Sequence, residues 1–536
     1  MRRRVKRLPD MAQRSLGFVD APVGPRAEPA GAPGDDWFQP EGHRELRVGE
    51  EPLDRYLRRI GLGWALELRR VLEALDWRLL TRAYQPTGRK AKHPRVMVGL
   101  IVYGILGARW SLRELELLAG RDVGAWWIGG GHQPDHSTIG DFIERHRAVL
   151  TTEFFESLVR YLVERLRVQP GTVALDGTVV EAAASRFHTL QLEAAQQAAA
   201  QARQRAAAAP QDAAAQAAAQ AATALAAAAS ERAARRATSG RDPQQTVVAV
   251  SDPEAVVQPR KDGARRPAYK PSTVVHESGL IVGQTVHPSN EIAQVAPLLA
   301  QHRTIVGAAP RHLLLDANYC QGEVLAPCVA EGIDVLCPSG TARQADQWTK
   351  RGAHGRFGKG AFTYKEEDDA YECPAGQRLS FVGHRRDRDG REYRLYVAPS
   401  SGCASCALRA HCTTGKQGRR VARYAADAYK DAMRIVLEQP RARQKYRQRR
   451  TLGERVYAEL TERQGLRRFH RRGLAGVSVE FALHCLAFDL KVALRHPAAA
   501  VLVARAVVVM VWRTVAGLPT AVGIAGAVYT TGWRPG

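Results

Sequence analysis

At 536 residues the chain exceeds what one hydrophobic core usually organises, so two or more domains are expected and a small cross-linked scaffold is excluded. Its formal net charge of +24 favours nucleic acid as partner over small acidic metabolites. Eight cysteines in such a length, with no apolar signal segment at the start, argue against disulfides and for a reducing, cytoplasmic compartment.

In chain order, residues 1–45 are rich in Pro, Gly and charge, open on Met1-Arg2-Arg3-Arg4-Val5-Lys6-Arg7, and read as a disordered leader. From about Leu53 to Val168 the apolar residues recur at helical spacing, as in Val96, Leu100, Tyr103 and Leu106, which predicts a helical domain over 46–168. Within it, Gly131 to Ile139 reads as a turn and a capped helix, where Asp135, Ser137 or Thr138 would satisfy free backbone amides. A helix start of this kind can also seat a DNA phosphate, which makes His136, Ser137 and Thr138 candidate DNA contacts beside the plain capping reading.

The next block is strand-like at Thr172–Leu175, Thr246–Val250, Ser272–Val275, Leu280–Val286, His312–Leu315 and Asp334–Leu336, with a hairpin predicted around His276-Glu277-Ser278-Gly279. The Ala/Gln/Arg segment at 190–238, broken at Pro210, predicts an exposed helical hairpin acting as spacer or oligomerisation arm. The fold class is therefore mixed, α+β or α/β. Ala498 to Trp512 is apolar but interrupted at Arg505, too short for a membrane span, and reads as a packing helix or an atypical tail over 497–536. No membrane partner is expected.

Asp176 and Asp316 each close an apolar run and precede a small residue, which predicts two carboxylates at the ends of adjacent buried strands. Such a pair suits a magnesium ion, whose shell is completed by water and substrate phosphate. With Glu454 the pair makes three carboxylates able to build a two-metal site for phosphodiester chemistry. In a helix through Gly453, Arg450 and Arg447 would share the face of Glu454 while Val456, Tyr457 and Leu460 lean into the core; a surface helix laced with salt bridges is the competing reading, and Glu480 is a rival third acid. The basic stretch with Arg467, Arg468, Phe469, Arg471 and Arg472 either tracks a DNA backbone or is a solvated turn. Cys373, Cys403, Cys406 and Cys412 could close a structural all-thiolate zinc site, with His411 able to replace Cys412, in a stretch with few apolar residues to form a core; free cytosolic thiols are the alternative. Cys320, Cys328, Cys337 and Cys485 read as small core residues.

Taken as a set, these residues resemble the DDE transposases of bacterial insertion sequences, in the group with an InsH-like helical domain followed by a ribonuclease H-like catalytic domain. The likeness spans most of residues 50–496. It rests on Pro134 to Ile139, on Asp176-Gly177-Thr178 with Ser185 and Arg186, on Ser251 to Ala255, on Asp316-Ala317 with Tyr319, on the cysteine insert, and on the Glu454 helix leading to Arg471-Arg472-Gly473-Leu474. The resemblance implies a DNA-binding domain over 46–168 and a ribonuclease H-like domain over 169–496, carrying a helical insertion at 190–238 and a Cys-rich one at 365–415. It implies Asp176, Asp316 and Glu454 as ligands of magnesium or manganese, activating water and then a 3′ hydroxyl for in-line attack. It further implies double-stranded DNA partners, both terminal inverted repeats and target, a homodimer in the synaptic complex, and association with the nucleoid. Tyr446 and Arg450 match the family's signature before the glutamate loosely, and Thr461 stands where the family commonly has lysine. Gly453 and Arg455 replace apolar or proline neighbours, and Tyr269-Lys270 replaces a tyrosine-asparagine pair. Two other readings stand beside the transposase: a catalytically degenerate DNA-binding protein derived from it, and a hydrolytic nuclease without strand transfer.

Overall fold

The computed structural model describes residues 33–260, 263–338, 356–387, 390–415 and 417–496. The expected leader up to residue 32 and the expected tail at 497–536, with its apolar run, lie outside the described residues. Residues 33–45, read from sequence as part of that leader, lie against the helices: Phe38 is buried, and Glu41 pairs with Arg95 at 2.8 Å and with the buried Arg69.

The longer helices that lead the chain are α1 (Leu53–Arg59), α2 (Gly63–Ala74), α3 (Pro94–Leu106), α4 (Leu112–Arg121), α5 (His136–Arg145) and α6 (Glu153–Arg165), with short helical turns at Arg78–Thr81, Val123–Ile128 and Arg147–Thr151 between them. Their starts are set locally. Ser111 and Glu114 close a capping box on α4, and Pro94 begins α3, where its missing N–H costs nothing. All but two residues of α3 are buried, so it is the centre of this layer.

The main sheet follows. Strand β1 (Thr172–Gly177) is succeeded by the short β2 (Val180–Glu181), then by α7 (Leu192–Ala208) and α8 (Ala213–Thr238), a helical hairpin packed largely through alanines. A two-stranded ribbon, Thr189–Gln191 with Val247–Ala249, closes its base. Next come β3 (Val256–Pro259), the long β4 (Arg265–His276), β5 (Ile281–His287), α9 (Val295–Val306), β6 (His312–Leu314), α10 (Gly322–Ala330) and β7 (Asp334–Leu336). Strands β7, β6 and β1 are mutually parallel, β4 runs antiparallel to β1, and β5 antiparallel to β4. The turn from β4 to β5 uses Gly279 at a φ of 91°, a conformation that side chains resist.

Residues 356–423 form a second, antiparallel sheet: β8 (Thr363–Lys365), β9 (Ala370–Glu372), β10 (Arg378–Arg386), β11 (Glu392–Val397) and β12 (Arg420–Arg423). This corrects the sequence expectation that the cysteine stretch has few apolar residues to form a core. Phe357, Phe362, Tyr371, Leu379, Tyr396 and Val421 are buried together. Aromatics do the work of the missing aliphatics, with Tyr371 and Tyr396 edge-to-face at 5.2 Å between centroids.

The chain returns through α11 (Asp427–Glu438), α12 (Pro440–Ala458) and α13 (Gly473–Arg495). Strand alternation decides what each helix covers. Ala174, Leu314 and Leu336 face α11 and α12, while Val173, Leu175, Leu313 and Val335 face a larger core. That larger core runs unbroken from Ala65 to Ala493, so the leading helices and the sheet share one interior, with α13 packed against both. Among the described residues no helix is long and apolar enough to cross a membrane.

Candidate active site

The two aspartates meet because of register. His312, Leu313 and Leu314 pair with Thr172, Val173 and Ala174, and the same offset carried two residues on sets Asp316 beside Asp176. Both acids follow the face of Ala174 and Leu314, which α12 covers.

Helix α12 is fastened to both strand ends along one face. Tyr446 donates its hydroxyl to the Leu315 carbonyl at 3.2 Å, and Tyr457 donates to the Asp176 carbonyl at 2.7 Å. Between them Arg449 reaches Asp176 Oδ1 at 3.1 Å and Asp316 Oδ2 at 3.4 Å. Gly453 completes the face, since a Cβ there would lie 2.9 Å from Asp176 Oδ2. Burial raises the Asp176 carboxyl above its usual range, opposed by the Arg449 charge and the Gly177 amide.

Glu454 lies one residue beyond this face. Its side chain is 66% exposed and paired with Arg450 at 3.0 Å, while Arg447 is exposed on the same side of the helix. So the structure brings Asp176 and Asp316 together, and leaves Glu454 outside their immediate contacts. Arg449 is the site residue that sequence reasoning missed. Its signal was the spacing of Tyr446, Arg449, Gly453 and Tyr457, which is one helical stripe. The rival acid Glu480 is buried in α13 and accepts the backbone N–H groups of His470 and Arg471 at 2.8 Å each, which makes it a structural cap.

Among the described residues no three His, Cys, Asp or Glu side chains stand ready to hold a metal ion. The donor chemistry of the two aspartates nonetheless suits a cation, since their oxygens converge on a single cationic side chain, Arg449. Cys373, Cys403, Cys406 and Cys412 line one small cavity, and the Gln377 amide donates to Cys373 Sγ at 3.3 Å. The Cys412 thiol is raised by burial and by the three neighbouring sulfurs, against Arg419.

The basic candidates divide by partner. Arg468 donates to the Ala182 and Ala184 carbonyls and Arg472 to the Ala183 carbonyl, which fastens their loop to the end of β2; Arg467 pairs with Glu462. At α5, Asp135 takes the Thr138 amide at 2.7 Å and the Ser137 hydroxyl at 3.0 Å, and these bonds hold its carboxyl down at about 2. His136 pairs with Glu116 at 2.7 Å. An anionic cap therefore fills the helix start that sequence offered to a phosphate. Thr138 instead lines a groove with Arg89, Lys90, Lys92 and Arg145, four cations that sequence reasoning did not single out.

Residues 372–494 match the family model of a Transposase DDE domain, and residues 65–145 match that of a Transposase domain (DUF772). The first range contains Arg449, Glu454 and all four clustered cysteines; Asp176 and Asp316 lie upstream of it. No curated protein matches the chain. Two transposase domains matched in one chain support an insertion-sequence DDE transposase as its family.

Proposed function

We propose that this chain binds the terminal inverted repeats of its insertion sequence and cuts and joins DNA strands, with Asp176, Asp316 and Glu454 holding magnesium or manganese. The observation that carries the reading is the sharing of Arg449 between two aspartates on adjacent parallel strands. The strand order β7, β6, β1, β4, β5, with the first acid on the middle strand, supports a ribonuclease H-like reading of 169–496. The helices between Leu53 and Arg165 support a DNA-binding reading of 46–168.

When bound, the metal would activate a water or a 3′ hydroxyl and steady the leaving oxygen. Asp176 and Asp316 would supply its carboxylate oxygens from fixed strand ends. Arg449, released from them, would offer a planar fork to a phosphate at the same place. Glu454 would join by exchanging Arg450 for the site. The groove with Arg89, Lys90, Lys92 and Arg145 would take the DNA backbone, and a homodimer would bring two ends together. We further assign Cys373, Cys403, Cys406 and Cys412 to a structural zinc ion, because all four thiols open on one cavity.

The test is magnesium-dependent cleavage and joining of a labelled duplex carrying the element's own end, with Glu454→Gln as control. Joined product that disappears in the variant supports transposition and the third acid together. Cleavage without joining would leave a hydrolytic nuclease. A folded protein that binds the end and does not cut it would be a degenerate, DNA-binding derivative.

A further inference from the structure

Phe187 is 82% exposed, more than any other large apolar side chain among the described residues. Single apolar residues at a surface are ordinary, but this one stands on a backbone that is held before and after it. Arg468 donates to the Ala182 and Ala184 carbonyls at 3.1 and 3.2 Å, and Arg472 to the Ala183 carbonyl at 3.0 Å. The Phe187 amide donates to Ser185 Oγ at 3.2 Å, and the His188 carbonyl accepts the Val250 amide at 3.1 Å, where the ribbon at the base of the helical hairpin begins. The ring is thus presented to solvent on a fixed turn. The Arg186 guanidinium lies over it, 4.5 Å from the centroid, in a cation–π contact.

Both β1 and α12, which meet at Asp176, run on to this loop. After Asp176 the chain continues along β4: Asp176 pairs with Thr273, Val180 with Tyr269, and the Ala182 amide donates to the Pro267 carbonyl at 2.9 Å. From Thr273 to Pro267 is about 20 Å of strand. Helix α12 leads into the segment that carries Arg467 to Arg472, where the Glu181 amide donates to the Arg467 carbonyl at 3.3 Å and the Phe469 amide to the Glu181 carbonyl at 2.8 Å. Phe187 therefore lies beyond the C-terminal end of β1, the end of the sheet that bears the acids. The charge around it is positive. Arg467 is paired with Glu462 and Arg266 with Glu181, but Arg186 faces a ring while Arg468 and Arg472 bond carbonyls, so none of these last three is neutralised by a carboxylate among the described residues.

Resting on DNA as the substrate of the acid pair, we propose that Phe187 stacks on an unstacked base of that DNA, while Arg186, Arg468 and Arg472 attract the phosphates on either side. With Arg186 over one face of the ring, the other face is open to a base. Every base has such a face to offer, so the contact tolerates sequence. Inside a duplex those faces are covered by neighbouring bases, so the ring requires a step that has been opened, as apolar wedges do in kinked DNA. A strand length of about 20 Å corresponds to about six nucleotides, which sets how far from the phosphate at Asp176 the opened step lies.

The experiment measures binding of the full-length protein, by fluorescence anisotropy, to two duplexes carrying the element's own end: one fully paired, and one left unpaired about six nucleotides from the cut. The unsubstituted protein is compared with Phe187→Ala, Phe187→Trp and Arg186→Ala. Phe187→Ala is expected to weaken binding to the opened duplex by about tenfold, with melting temperature and salt dependence unchanged, and Phe187→Trp to restore it. Arg186→Ala should instead lower the salt slope by about one. An iodouracil placed at the opened position should photocrosslink to Phe187, read by peptide mass spectrometry. Undiminished binding of both duplexes by Phe187→Ala overturns the stacking role and leaves the DNA reading standing. Binding of neither duplex by the unsubstituted protein overturns the DNA reading and Phe187 with it. Loss of a dimer in sedimentation of Phe187→Ala, with no crosslink at Phe187 in the unsubstituted protein, would assign the ring to a second copy of the chain and likewise overturn the proposal.

Discussion

Arg449 donates to Asp176 at 3.1 Å from a helix 273 positions further along the chain. The pair is part-buried, with side chains 18% and 25% exposed, so the guanidinium offsets a carboxylate that burial disfavours. Arg449→Ala is expected to lower metal-free stability by about 1–2 kcal/mol, between the values for exposed and fully buried pairs. Mn2+ should then raise the melting temperature of the variant more than that of the unsubstituted protein, since the ion no longer displaces a side chain. Equal shifts in thermal melts would show that Arg449 and the ion do not share a seat.

Gly453 is squeezed between α12 and Asp176. A methyl group there would meet Asp176 Oδ2 at 2.9 Å, the far end of a side chain that can swing aside. Gly453→Ala is therefore expected to keep or raise stability, by up to about 1 kcal/mol from helix propensity, while metal-dependent strand cleavage falls because the carboxylate is displaced. Parallel melting and cleavage assays separate the two effects. Undiminished cleavage would place Asp176 outside the chemistry.

Burial pushes the Glu480 carboxyl up to about 8, against the His470 and Arg471 amides that favour its charged form. The folded chain thus holds a proton that the unfolded chain has released above its ordinary value of 4.5. This contribution to stability is fully present below that lower value and is lost as pH rises through the upper one. Glu480→Gln keeps an acceptor for both amides without the charge. Urea melts should find it close to the unsubstituted protein at acid pH and more stable by about 1–3 kcal/mol in mild alkali. A variant weaker at every pH would mean that the carboxylate is buried charged.

For the four thiols, purified protein is expected to carry about one zinc per chain by elemental analysis. A chelator should melt the β8–β12 sheet while α13 and the main sheet persist, because the two cores are separate. Cys406→Ser should lose zinc and lower the melting temperature of that sheet. Full stability in a metal-free preparation would reduce the cysteines to ordinary thiols.

The strands bearing Asp176 and Asp316 were legible because a run buried on both faces must be apolar throughout and then stop abruptly at its acid. The hairpin at His276 to Gly279 was legible from its glycine. Helix α12 was harder to read. Arginines at 441, 443, 447, 449, 450 and 455 occupy every side of it and mask the 3.6-residue period, so the stripe of Tyr446, Arg449, Gly453 and Tyr457 disappears among like charges. Attention fell on Arg450, which turns outward to Glu454, rather than on Arg449, which turns inward. The β8–β12 sheet was hidden for a different reason, since its strands alternate aromatics with charge and offer few β-branched residues.

The unbroken interior from Ala65 to Ala493 has a mechanical meaning. Asp489 on α13 accepts the Ile281 amide of β5 at 2.7 Å, and the ring of His470, ahead of the same helix, stacks on Trp110 between α3 and α4. A duplex gripped at the Arg89 groove, as proposed, would therefore meet the acid pair across one shared interior. On the proposed function the chain would act as a ruler: the number of base pairs between grip and cut would be set by the length of the protein's own core.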